Sequence, residues 1–191
     1  MKRVLCWGVV LSLILCSCSS VADGGQNSKG EDNTTIRVEK EIFDVTLNIP
    51  ADFIDDETTQ ESLDLAVSEK GYQSAMLNDD GSVTYVISKT QHKEMMEELE
   101  TSIKDGLGEM VNSEEYPNLV SIDTNNDYTE FTVVTENETP DFAEMLSTMI
   151  FYMYGGMYNA FNGSKADNIS VKFVNESSGN VVKEANSRDA K

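Results

Sequence analysis

YQSAMLNDDGSVTYVISKTQHKEMMEELETSIKDGLGEM, residues 72–110, carries two hydrophobic periods in succession. The first half reads as a hairpin: Tyr72 to Leu77, a turn of Asn78, Asp79, Asp80 and Gly81, then Ser82 to Ser88 with Val83, Tyr85 and Ile87 on one face. Asp-Gly between two such runs is a strong turn signal, because both residues tolerate the positive φ that tight turns need. From about Thr90 to Val111 the period lengthens. Met96, Leu99, Ile103, Leu107 and Met110 recur at three and four residues, the stripe of a half-buried helix, and Glu100 with Lys104 makes a favourable surface pair.

The flanking sequence extends the same alternation. Upstream, Phe43, Val45, Leu47 and Ile49 alternate with polar residues and predict a strand over 42–49 that Pro50 ends. Thr58 and Glu61 have capping-box spacing for a helix whose apolar face is Leu63, Ala66 and Val67, and Gly71 is placed to stop it. Downstream, a second hairpin joins Leu119–Asp123 to Tyr128–Thr135 across Asn125 and Asn126, with Phe131 and Val133 facing inward. Thr139, Pro140 and Asp141 start a third helix, with Thr as cap and Pro in the first turn. Ile169, Val171 and Phe173 mark a last strand, and past Ser177 the chain turns polar. The expected fold is α+β, a mainly antiparallel sheet with about three helices packed on one face. Residues 36–178 are expected to form one domain, and 179–191 a polar tail that frays.

The first residues are an address. Lys2 and Arg3, an apolar run from Val4 to Leu15 and then small polar residues follow the order of a secretory signal over 1–17. That run falls short of the roughly 20 apolar residues a membrane-crossing helix needs. Leu15, Cys16, Ser17 and Cys18 resemble the lipobox of bacterial lipoproteins, with an aliphatic residue three before the cysteine and a small one just before it. Counting back from Cys16 instead puts Leu15 where a small residue is required. The resemblance implies that Cys18 becomes the N-terminus and carries a diacylglyceryl group; two acyl chains anchor stably where one does not. Residues 19–35 are Gly, Ser, Asn and acid, with too little apolar surface to offset ordering, and are expected to be a flexible tether spanning about 23 Å.

Charge and cysteine content exclude several functions. The chain has 14 basic and 34 acidic side chains, a formal charge of −20. Such a surface repels polyanions, so nucleic acid is not an expected partner. Of the 3 cysteines, Cys6 and Cys16 leave with the signal and Cys18 is blocked by lipid. No thiol then remains for a disulfide, a metal site or a nucleophile, and no cofactor fingerprint is present. Five Asn-X-Ser/Thr matches, at Asn33, Asn137, Asn162, Asn168 and Asn175, would be glycan acceptors in a eukaryotic secreted protein. Beside a lipobox they read as chance.

Two further segments, GYQSAMLNDDGSVTYVISKTQHKEMMEEL and FYMYGGMYNAFNG, resemble those of small extracytoplasmic lipoproteins of clostridia and related Gram-positive bacteria. The resemblance spans nearly all of the mature domain and implies a place outside the cell membrane, without an activity.

The third helix is the most distinctive segment, uncharged from Met145 to Phe161 and containing the pair Gly155 and Gly156. Phe142, Met145, Leu146, Met149, Ile150, Met153 and Met157 share one face, which reads as core. Phe151, Tyr154 and Tyr158 share the opposite side. Buried, they complete the core; exposed, they would bind a peptide or a sugar ring. The glycine pair implies a break in the helix or a close backbone approach. Asp123, Asn125 and Asp127 have the spacing that opens a calcium loop, but Tyr128 stands where such a loop needs Gly and Val134 where it needs Glu. His92, the one histidine, reads as a structural residue at a helix start.

The expected function is thus a non-enzymatic, lipid-anchored extracytoplasmic domain that binds a protein or a cell-envelope component. The competing expectation is a small hydrolase that acts on envelope polymer through two carboxylates in a cleft.

Overall fold

The computed structural model describes residues 36–190. The signal, Cys18 and the tether lie outside them. The expected α+β class is found: three helices and eight strands in two four-stranded, mostly antiparallel sheets. The expected single domain resolves into two compact units, divided between Ser88 and Lys89.

The first unit holds β1 (Arg37–Lys40), β2 (Asp44–Ile49), α1 (Gln60–Lys70), β3 (Ser74–Leu77) and β4 (Val83–Ser88), with sheet order β1-β2-β4-β3. All its pairings are antiparallel. Register places Val45 opposite Ile87 and Leu47 opposite Tyr85, which gathers the apolar positions of both strands on one face. Leu63 of α1 packs there against Ala75 and Val83. Two details differ from the sequence expectation. Phe43 is not in the strand; it sits beside Ile42 in the β1–β2 turn, and both are exposed. The cap of α1 is Thr59 rather than Thr58, in a reciprocal box with Ser62 rather than Glu61, whereas Gly71 does end the helix in the left-handed conformation. Strand β1 carries no apolar alternation, because an exposed edge strand needs charge more than an apolar face.

The second unit holds α2 (Lys89–Met110), β5 (Leu119–Thr124), β6 (Glu130–Thr135), α3 (Phe142–Asn162), β7 (Ser170–Asn175) and β8 (Val181–Asn186), with sheet order β5-β6-β7-β8. Strands β6 and β7 run parallel, because α3 carries the chain back across the sheet between them. The residues expected to fray contain β8, which pairs antiparallel with β7. Its polar composition is that of an edge strand with one face in water. Both helices cover the face formed by Phe131, Val133, Val171 and Phe173; α2 contributes Met96, Leu99, Ile103 and Leu107, all buried as expected. Among the described residues no helix is long and apolar enough to cross a membrane.

Candidate interaction surface

The start of α3 is fixed by a buried acid. Asp141, not Thr139, is the N-cap: its carboxylate accepts from the Glu144 amide, and Glu144 Oε2 accepts from the Asp141 amide at 2.7 Å. Glu144 also accepts from the Thr135 hydroxyl and from Asn137 Nδ2, the latter at 2.9 Å. A buried carboxylate is tolerable only when its lone pairs are occupied, and here they bind the helix start to the end of β6. Glu144 is therefore committed to structure. It is the one acid among the described residues that the fold buries.

From that start, the helix presents its faces the other way round from the sequence expectation. Phe151 is fully buried and Tyr158 is 9% exposed, while Phe142 is 79%, Leu146 52%, Met149 62% and Met153 43% exposed. Phe151 stacks on Phe131 with ring centroids 5.1 Å apart, and Tyr158 meets Tyr128 at 4.8 Å. The Tyr158 hydroxyl donates to Glu100 Oε1 at 3.3 Å. Tyr154 is half-buried against α2, its hydroxyl lying where Gly106 leaves the room of a missing side chain. Burial pushes the phenols of Tyr128, Tyr154 and Tyr158 above their ordinary 10.0, and nearby carboxylates add to it: Glu100 for Tyr128 and Tyr158, Glu109 for Tyr154. An exposed aromatic stripe of Phe151, Tyr154 and Tyr158 does not exist.

The polar residues on the same side explain the reversal. Glu144, Ser147 and Asn159 look like a solvent face, but each has partners inside. Ser147 donates to the Glu144 carbonyl at 2.6 Å, and Asn159 Nδ2 donates to the carbonyls of Asp127 at 2.7 Å and Gly155 at 2.9 Å. The sequence signal that does mark the outer face is its lack of any such polar residue.

The other singled-out residues are structural. Asn125 Oδ1 accepts from the amides of Thr129 at 2.9 Å and Glu130 at 3.1 Å, so it shapes the β5–β6 turn in which Asp123, Asn125 and Asp127 lie. Among the described residues no group of three or more acids or histidines is disposed to hold a metal. His92 is buried at the start of α2, and its Nε2 donates to the Phe161 carbonyl at 2.9 Å, tying α2 to the end of α3.

The exposed large apolar residues of this unit, Val181 apart, lie on the outer face of α3. Phe142, Leu146, Met149 and Met153 follow one another at four, three and four residues, with half-buried Gly156 and Ala160 continuing the line. No charged side chain stands on it, although the chain carries −20 overall. No family model matches this chain, and no curated protein or solved structure does.

Proposed function

We propose that this chain is a non-enzymatic interaction domain, held on the outer side of a bacterial membrane by a lipid on Cys18, that makes its contact through the outer face of α3. The exposed, uncharged line of Phe142, Leu146, Met149 and Met153 carries the reading. Four large apolar side chains in water are a standing cost that burial against a partner removes, at about 25 cal/mol per Å². The lipobox at Leu15–Cys18 supports the address, and the acidic surface agrees with life in solvent outside the cell.

Thiol footprinting tests the contact. In cells that make the full chain, Met149→Cys is expected to react more slowly with a water-soluble maleimide than Ser102→Cys on the exposed side of α2, relative to the same two variants purified. Equal relative rates would remove the contact face. The anchor is tested separately: Cys18→Ala protein is expected in the soluble fraction, and its retention with membranes would sink that part.

A further inference from the structure

We infer that the occupant of this face is a second copy of the chain, the two α3 helices running antiparallel about a two-fold axis level with residue 151. This rests on the contact face proposed for α3 and names its partner.

The argument begins with spacing. Phe142, Leu146, Met149, Met153, Gly156 and Ala160 stand at intervals of four, three, four, three and four, the seam by which one helix packs against another at a shallow angle. Along that seam the side chains shrink, from Phe and Leu through two Met to Gly and Ala. An antiparallel partner reverses the order. Phe142 then lies opposite Ala160, Leu146 opposite Gly156 and Met149 opposite Met153, and all three pairings share one centre, at residue 151. Large meets small in the outer layers and Met meets Met at the centre, so the summed volume stays even along the contact. A parallel pair would set Phe142 against itself and Gly156 against itself, crowding one end and leaving the other hollow.

The small end is free to receive a partner. A side chain built at Gly156 would meet nothing within 4 Å, in contrast to its neighbour Gly155. Opposite Gly156, the longer Leu146 has that space.

Charge selects the same face. Two chains of −20 repel each other, and the exposed side of α2 carries Glu94, Glu97, Glu98, Asp105 and Glu109 against Lys89, Lys93 and Lys104. The α3 seam brings no charge to the contact, so two copies meet there without a desolvation cost for ions. An amphipathic helix built for an anionic bilayer would instead place Lys and Arg beside its apolar face, and between Met145 and Phe161 there is none.

The size of the contact says where pairing occurs. From Phe142 to Ala160 the seam is about 27 Å long and one helix, about 10 Å, wide. A pair of such faces buries less than the about 1,200 Å² at which stable complexes begin, in the range of weak and transient ones. Chains confined to one membrane plane meet at a much raised effective concentration, which converts weak pairing into a populated state.

The test uses the full chain in cells that process lipoproteins. Two chains of different size are made together, one Phe142→Cys and the other Ala160→Cys, and are treated with a short bis-maleimide. A mixed-size dimer is expected, above the background of chains without the added cysteines. Phe142→Cys in both chains, or Ala160→Cys in both, is expected to give no added dimer, the two thiols being about 27 Å apart. Dimer from the like pairs equal to that from the mixed pair, or none from any pair, would overturn the proposal. If none forms while Met149→Cys remains shielded in the membrane fraction, a lipid surface covers the seam and the contact reading survives without the dimer. A mixed dimer found in the soluble fraction would keep the pairing and remove the anchor.

Discussion

Gly155 of α3 sits directly over the backbone carbonyl of Tyr128: a Cβ at residue 155 would overlap that oxygen and would come within 2.9 Å of Ile169 Cδ1. Tyr128 itself holds a left-handed backbone, φ 53, which is uncommon for a residue with a bulky side chain. The strained turn is kept in place by what α3 offers it: the bare backbone at Gly155, the Asn159 amide on the Asp127 carbonyl and the Tyr158 ring against Tyr128.

The two adjacent glycines therefore respond oppositely to alanine. Gly155→Ala forces backbone apart and is expected to cost about 1–3 kcal/mol. Gly156→Ala meets open space and is expected to stabilise the folded chain by about 0.5–1 kcal/mol through helix propensity. Urea unfolding midpoints of the two variants check this. A shift of the same sign in both would contradict the packing at Gly155.

The orientation of α3 is tested by a core and a surface truncation. Phe151→Ala is expected to lose about 3–5 kcal/mol, the usual cost of emptying a buried aromatic site. Met149→Ser, on the exposed side, is expected to change stability by about 0.5 kcal/mol or less. The reverse ranking by thermal or chemical unfolding would restore the methionine face as core.

Glu144 joins the cap of α3 to β6, so its removal strands several donors. Glu144→Ala leaves the Thr135 hydroxyl, the Asn137 amide and the Asp141 N–H without their acceptor, at about 3 kcal/mol. Glu144→Gln keeps an acceptor oxygen and is expected to lose about half as much. Amide exchange at Asp141, measured beside the unfolding midpoint, is expected to speed up in the Ala variant; unchanged exchange would mean that the cap does not depend on this carboxylate.

Alkaline pH is expected to unfold the second unit in a particular way. Burial first, and the charge of Glu100 second, hold the Tyr158 phenol above 10.0 in the fold. A raised folded value means that the fold favours the protonated phenol. Its contribution is fully present below about pH 10 and is lost as pH rises through the folded value. Tyr158→Phe should flatten the decline above pH 10 without altering the shape of the stability curve between pH 7 and 9. A decline just as steep in the variant would show that Tyr158 is not held in its neutral form.

Ending the chain at Asn180 removes β8 and exposes the edge of β7, whose inward residues Val171 and Phe173 are fully buried. The shortened chain is expected to unfold at markedly lower denaturant. No change would mean that residues 181–186 contribute as little as a frayed tail.

For all elements but β1 and β8 the sequence by itself determined the type and most of the bounds, because those depend on local quantities. Alternation at Val83, Tyr85 and Ile87, the three-and-four spacing from Met96 to Met110 and the turn residues Asn78 to Gly81 act within a few residues of chain. It could not decide which side of α3 is core, since apolar residues line both sides and two of the polar ones on the buried side, Glu144 and Asn159, find partners outside the helix. Glu144 is neutralised as a burden by Thr135 and Asn137, and Asn159 by the Asp127 carbonyl. The tertiary structure also decided the division into two sheets, the parallel pairing of β6 with β7 and the recruitment of polar residues 181–186 as an edge strand. Each is a choice between long-range pairings of similar local merit, and only the summed burial of a whole unit separates them.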